Sequence, residues 1–232
     1  TALSLLLLST LIAVYLLDQL SVTVSKDSVF IIEPGSSLST ITKRLTREDL
    51  LPVNNIAFKA YAILTRDTGS IQAGQYQLKA GMPSQDVLAL FRSGKVIQHR
   101  ITFPEGLRVQ EWLARLQQAP HLESKTTGMT REDLRQFLGL ATELEGSLFP
   151  DTYQYTLGDS DLDILELAVR KMKEVLGEEW SGRAMTVIST PFDALVLASM
   201  IEKETGYGPD REKIASVFHN RLDTGMKLQS DP

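Results

Sequence analysis

Residues Ala2 to Leu17 read ALSLLLLSTLIAVYLL, an uninterrupted uncharged run closed by Asp18. A helix that is apolar on every face has to be surrounded by protein core or by lipid. As a helix this run would be about 24 Å long at ~1.5 Å per residue, short of the roughly 30 Å hydrocarbon core of a bilayer. The chain opens on Thr1, with no Met and no basic stretch ahead of the run. The expectation is therefore a transmembrane anchor over residues 1–20 whose natural start lies further upstream. A cleaved signal peptide is the rival, but no small-x-small cleavage pattern follows Leu17; a buried core helix is the plain alternative. With an anchor there, the rest of the chain is expected on the extracytoplasmic (periplasmic) side of the cytoplasmic (inner) membrane.

Composition narrows the chemistry. A formal charge of −5 speaks against nucleic acid as a partner, because affinity there rests on neutralising phosphates. The absence of cysteine removes disulfides, thiolate nucleophiles and thiolate metal sites. His99, His121 and His219 lie far apart and form no ligand-spaced pattern, so no metal or other cofactor is expected.

Past the leader, the chain alternates strand and helix signals. SVFII (28–32) precedes Pro34-Gly35 and reads as a strand running into a turn. Ser36 or Ser37 caps a helix bearing Leu38, Ile41 and Leu45. Leu51-Pro52 ends it, and Asn54 or Asn55 opens a second with Ile56, Ala57, Ala60, Ile63 and Leu64 on one face. AGQYQLK (73–79) then alternates as a half-buried strand. This strand–helix–helix–strand order resembles a LysM-type module, a fold that often binds wall glycan. Ser84 is expected to cap a helix carrying Val87, Leu88 and Phe91, and Val96–Phe103 to form a strand. Helices follow at Val109–Gln118, Arg131–Leu138 and Leu162–Leu176, the last closed by Gly177. The expected class is α+β: the transmembrane helix, a LysM-like βααβ module over 27–95, and a mixed α/β catalytic domain over 96–232.

The most informative stretch is 190–232. Thr190-Pro191-Phe192-Asp193 is a helix start, with a Thr cap, Pro at the first helical position and an acid in the first turn. Ala194, Leu195, Leu197, Ala198 and Ile201 are expected to bury one side. Gly206, Gly208 and Pro209 end the helix, which puts Glu202 and Glu204 in its last turn. That end carries negative partial charge, and Lys203 offsets it only in part. A partly desolvated carboxyl held there beside a second carboxylate keeps its proton to higher pH, as a general acid must. Two exposed glutamates at a frayed helix end is the plainer reading of the same pattern. A second helix is expected from Asp210 to Thr224-Gly225, bearing Asn220 and Arg221, with Gln229 and Asp231 beyond it as further polar groups suited to sugar hydroxyls.

These residues carry a resemblance. LASMIEKET (197–205), REKIASVFHNRL (211–222) and GMKLQSDP (225–232) together resemble the signature of the MltG (YceG-like) endolytic murein transglycosylases. EGSLFPDTY (145–153) is similar to that family's second block, and FPEGL (103–107) and AGQY (73–76) to two weaker ones. The resemblance implies a membrane-anchored enzyme that cuts glycan strands internally, near peptidoglycan synthases as possible partners. It selects Glu204, the second glutamate of the EKE pair, as acid/base. It leaves Glu202, Glu145, Asp151, Tyr153, Asn220, Arg221, Gln229 and Asp231 as candidates for holding substrate or tuning Glu204. It also implies a further segment past Pro232, opening with a TVIYG-like sequence, so that the catalytic domain is incomplete at its C-terminus.

A lytic transglycosylase needs no water: one carboxyl protonates the glycosidic oxygen between MurNAc and GlcNAc, then accepts the proton of the MurNAc C6 hydroxyl. That hydroxyl closes on C1 and leaves a 1,6-anhydro end, aided by high effective molarity. The alternative class is a non-catalytic, membrane-anchored peptidoglycan-binding or scaffold protein.

Overall fold

The computed structural model describes residues 7–8, 10–11, 14–15, 18, 21–64, 71–141, 143–184 and 187–228. Most of the expected 1–20 anchor lies outside the described residues, as do Gln229 and Asp231. Among the described residues no helix is long and apolar enough to cross a membrane. Among the described residues the chain is mixed α/β, with helices and two small sheets, and it divides into two compact units: 1–99 with 156–158, and 100–155 with 159–232.

The first unit runs β1 (Ser28–Ile32), α1 (Leu38–Arg47), α2 (Asn55–Leu64), β2 (Gly74–Leu78) and α3 (Ser84–Ser93). β1 and β2 pair antiparallel, with Phe30 opposite Tyr76 and Ile32 opposite Gly74. The period-2 alternation turns Phe30, Ile32, Tyr76 and Leu78 into the core. There Phe91 of α3 lies 4.9 Å from the Tyr76 ring, near edge-on, and 5.8 Å from Phe30. Gly74 has φ +140°, and a Cβ there would meet Val96 Cγ1 at 2.5 Å, so β2 can begin only on glycine.

The caps follow the sequence closely. Ser37 accepts from the Thr40 amide at the start of α1, and Asn54 Oδ1 accepts from the Ile56 and Ala57 amides at the start of α2. At α3 the cap is Pro83, one residue ahead of the expected Ser84, which is itself buried. The buried face of α2 differs from the one expected: Ala57, Phe58 and Ala62 point inward, while Ile56 and Ile63 stay exposed. Phe58 decides this, because its bulky ring is fully buried in the core of the first unit and sets which face of the helix turns inward.

The second unit holds β3 (His99–Thr102), α4 (Val109–Gln118), α5 (Arg131–Phe137), β4 (Thr152–Tyr155), α6 (Asp161–Gly182), α7 (Pro191–Glu204) and α8 (Gly208–Asp223). β3 pairs with β4, shorter than the expected 96–103 strand, and the Thr102 and Thr152 hydroxyls meet at 2.9 Å. Phe103 and Trp112 stack face to face at 3.7 Å in the core, with Tyr153 tilted against both.

α6 runs through Gly177 to Gly182 instead of stopping at the glycine. A helical glycine costs only ~1 kcal/mol, and the buried face of Leu162, Ile164, Leu165, Ala168 and Val169 anchors the helix well before it. The start of α6 is fixed by a capping box, in which Asp163 Oδ2 accepts from the Ser160 amide at 2.7 Å and the Ser160 hydroxyl at 2.6 Å.

Candidate functional site: the end of α7 and the adjoining cleft

α7 begins as expected. Thr190 caps it, Pro191 takes the first helical position, and Asp193 closes a capping box with Thr190 at 2.7 Å. It ends at Glu204, so Glu202 and Glu204 do share the last turn. The burial expected along α7 is found only in part: Leu197 is buried, Ala194, Leu195 and Ile201 are half-buried, and Ala198 is exposed. The helix is apolar on most faces and packs against α6 and α8. α8 starts at Gly208, earlier than the expected Asp210 cap, because Pro209 fits the first turn of a helix. Phe218 is its buried residue.

Residues two apart on a helix do not face each other, and the two glutamates have different surroundings. Glu202 is half-buried and ion-pairs with Arg211 of α8 at 2.7 Å, which ties the two helices together. Glu204 is exposed, not partly desolvated as the sequence led one to expect, and makes no hydrogen bond or ion pair among the described residues. The reason is its place on the last helical residue, with the open Thr205–Tyr207 bend beyond it.

Glu202 and Lys203 line a cleft of about 690 Å³ in the second unit. Its walls come from Pro104 to Arg108 ahead of α4, Arg131 at the start of α5, Glu143 to Gly146, and the Phe192–Val196–Ser199 face of α7. Lys203 Nζ donates to the Gly106 carbonyl at 3.3 Å, and Glu145 Oε1 accepts from the Val109 amide at 3.2 Å. Gly146 (φ +79°) lies where a Cβ would sit 3.2 Å from Leu195 Cδ2, so α7 approaches this segment across a glycine.

Of the residues singled out from sequence, Glu202 and Glu145 come together in this cleft. Glu204 sits at the helix end outside the cleft lining, and Asn220 and Arg221 lie on α8, also outside it. Asp151 and Tyr153 are placed in structural contacts elsewhere. Asp151 pairs with Lys171 and accepts from the Thr152 amide, which together hold its carboxyl below the usual range. Tyr153 is 7% exposed and donates to the Phe149 carbonyl at 2.5 Å; burial, and then the Asp151 charge, push its phenol well up. Sequence reasoning missed Arg108, Arg131 and Glu143, which carry no local motif and meet only through the fold. Among the described residues, no group of acids and histidines is placed to hold a metal ion.

The family model of the YceG-like family matches residues 30–232, and the chain belongs to that family. It is 30% identical over 227 residues to the endolytic murein transglycosylase of Bacillus subtilis (strain 168), covering 90% of this chain and 62% of that protein. It is 26% identical over 232 residues to the endolytic murein transglycosylase of Streptococcus pneumoniae (serotype 2, strain D39), covering 86% of this chain and 41% of that protein. The chain thus spans less than two thirds of the length of these relatives. A crystal structure of a YceG-like protein from Listeria monocytogenes aligns over 89% of this chain and 74% of that one, with 25% identity and a TM-score of 0.46.

Proposed function

We propose that this chain is the glycan-cleaving part of an endolytic peptidoglycan lytic transglycosylase, with Glu204 as acid and then base. The observation that carries the reading is the state of Glu204 within the LASMIEKET stretch of a YceG-like chain. It is an exposed carboxyl at a helix end, with no hydrogen bond or ion pair among the described residues, and so open to a substrate. Glu202 is engaged by Arg211 and suits a fixed, orienting role. The Glu204 carboxylic acid gives its proton to the departing GlcNAc O4 as the MurNAc C1–O4 bond breaks. It regains one from the MurNAc C6 hydroxyl as the C1–O6 bond forms, so the enzyme returns to its starting state without water. Glu145 and Glu202 in the cleft and Asn220 and Arg221 on α8, with Gln229 and Asp231 that follow α8 in the sequence, hold the strand to either side of the scissile bond. Asp151 and Tyr153 support the wall from behind, the Asp151 carbonyl accepting from the Phe103 amide at 2.9 Å.

We further infer that the chain is held at the cytoplasmic membrane, its catalytic part outside, and that the 27–95 βααβ segment is a LysM-like glycan-binding module. Support for the anchor is the uncharged 2–17 run, whose described residues Leu7, Leu8, Leu11 and Val14 are helical and expose their side chains. Attachment near a peptidoglycan synthase would follow from the same location.

Digesting sacculi with the chain and identifying the released ends by mass spectrometry tests the chemistry. 1,6-Anhydro-MurNAc ends from the wild type, lost in Glu204→Gln with the fold intact, are expected. Hydrolytic reducing ends would refute the reaction type. Loss in Glu202→Gln with Glu204→Gln active would move the acid to Glu202. Glycan binding without any released product would favour the scaffold reading.

A further inference from the structure

We propose that the 690 Å³ cleft beside α7 is a subsite for the peptide stem of the glycan strand, with Arg108 and Arg131 taking stem carboxylates and Glu143 and Glu145 its amine. The inference rests on peptidoglycan being the substrate. It adds that the site distinguishes stem-bearing from bare glycan.

The lining chemistry is the argument. The GlcNAc–MurNAc backbone presents hydroxyls, acetamides and at most one lactyl carboxylate per MurNAc, and no amine. This cleft instead presents three cations (Arg108, Arg131, Lys203) and three carboxylates (Glu143, Glu145, Glu202). Two of the six are spent locally, Lys203 on the Gly106 carbonyl and Glu202 on Arg211.

Arg108, Arg131 and Glu145 remain available, and Glu143 is shared with the field of Arg135. Arg108 and Arg131 make no side-chain hydrogen bond or ion pair among the described residues, unlike Arg44, Arg135 and Arg211. Glu145 commits one oxygen to the Val109 amide, which fixes it in place and leaves the second free. Opposite charges thus share one cavity without neutralising each other. They come from three separate segments, so no single run of surface charge explains them.

A ligand carrying both signs satisfies such a lining, and a stem with free carboxylates and a diamino-acid amine does so on one short chain. The volume falls within the range of ordinary ligand pockets, roughly 300–1,000 Å³. Arginine is the cation suited to carboxylates, because its planar fork binds them bidentately.

The test compares two labelled substrates: uncrosslinked strands that keep their stems, and strands stripped of them by an amidase. Wild-type binding by fluorescence anisotropy is expected to favour stem-bearing strands on the order of ten-fold, with the preference falling at high salt. R108A/R131A should bring that ratio close to one, and E143Q/E145Q should lower it. R108K and R131K, which keep the charge and lose the fork, should fall between. If the double variant does not fold, single R131A reads the same ratio. Equal affinity of the wild type for both strands, or a preference that survives both double variants, overturns the inference. Anhydro ends are counted in the same samples. A stem preference without anhydro ends from either strand keeps the subsite and refutes the enzyme.

Discussion

Asp161 is fully buried at the first position of α6, and its carboxylate holds the 123–130 loop against that helix. Oδ1 accepts from the Lys125 amide at 2.8 Å and the Thr126 amide at 3.1 Å, and Oδ2 from the Thr126 hydroxyl at 2.6 Å. The loop leads through the Thr130 cap directly into Arg131 of the cleft, so its anchoring bears on the site. In Asp161→Ala the Lys125 amide can turn to water, while the amide and hydroxyl of buried Thr126 are stranded. Two buried groups at ~1–3 kcal/mol each predict a loss of about 3–4 kcal/mol from the second unit. Asp161→Asn keeps one acceptor for the amides, and its new amine can donate to the Thr126 oxygen, so about 1–2 kcal/mol is expected. Trp112 and Trp180, the two tryptophans of the chain, both lie in the second unit, so tryptophan emission during urea unfolding follows that unit. A loss under about 1 kcal/mol for Asp161→Ala would show that the loop is held by other means. Equal losses for Asn and Ala would show that charge, not acceptor geometry, is what matters.

Two further outcomes follow from the same unit. The Lys171 ammonium, helped by the Thr152 amide, lowers the Asp151 carboxyl, so its folded value lies below its unfolded one. The stability this supplies is present above the unfolded value near ~3.9 and is lost as pH falls through the folded value. The stability gap between wild type and Lys171→Met should therefore be open at neutral pH and close in acid; a gap that stays constant with pH refutes the pairing. Gly146→Ala combines a positive φ with a Cβ 3.2 Å from Leu195. It should cost roughly 1–3 kcal/mol and weaken strand binding by pushing α7 off the cleft wall; a neutral effect on both readouts would refute the close approach.

Local signals were readable wherever chain neighbours alone decide the outcome. The helix starts at Ser37 and Thr190, the acid in the first turn after Thr190 and the shared last turn of Glu202 and Glu204 depend on contacts within a few residues. What depended on packing was not readable. Periodicity cannot say which face of α2 is buried when Ile56, Phe58 and Ile63 are all apolar, and the bulkiest ring takes the core. β4 escaped notice because TYQY is only four residues long and finds its partner some fifty residues upstream. The site divides in the same way. The glutamates are visible in one helix turn, whereas Arg108, Arg131 and Glu143 become a lining only after α4, α5 and the 143–146 segment converge.

The helix pair that carries both glutamates is also the least buried part of the second unit. Leu197 and Phe218 are the buried side chains that α7 and α8 provide, against six along α6. Opening of the pair should therefore cost much less than global unfolding, as is common for elements that meet ligands. The Arg211–Glu202 pair is one of the few specific contacts closing it, with side chains 46% and 29% exposed. An ion pair so exposed is worth at most about 1 kcal/mol, which corresponds to roughly a five-fold change in a local opening equilibrium. Arg211→Ala should then speed hydrogen exchange of α8 amides by up to about five-fold while the α6 amides around Leu165 and Ala168 keep their rates. Because Glu202 would be released from its partner without any change in Glu204, the same variant separates the two glutamates. Slower anhydro-end formation with unchanged α6 protection assigns Glu202 an orienting role. If α6 and α8 amides accelerate together, the pair opens only with the whole unit, and the argument from sparse burial is wrong.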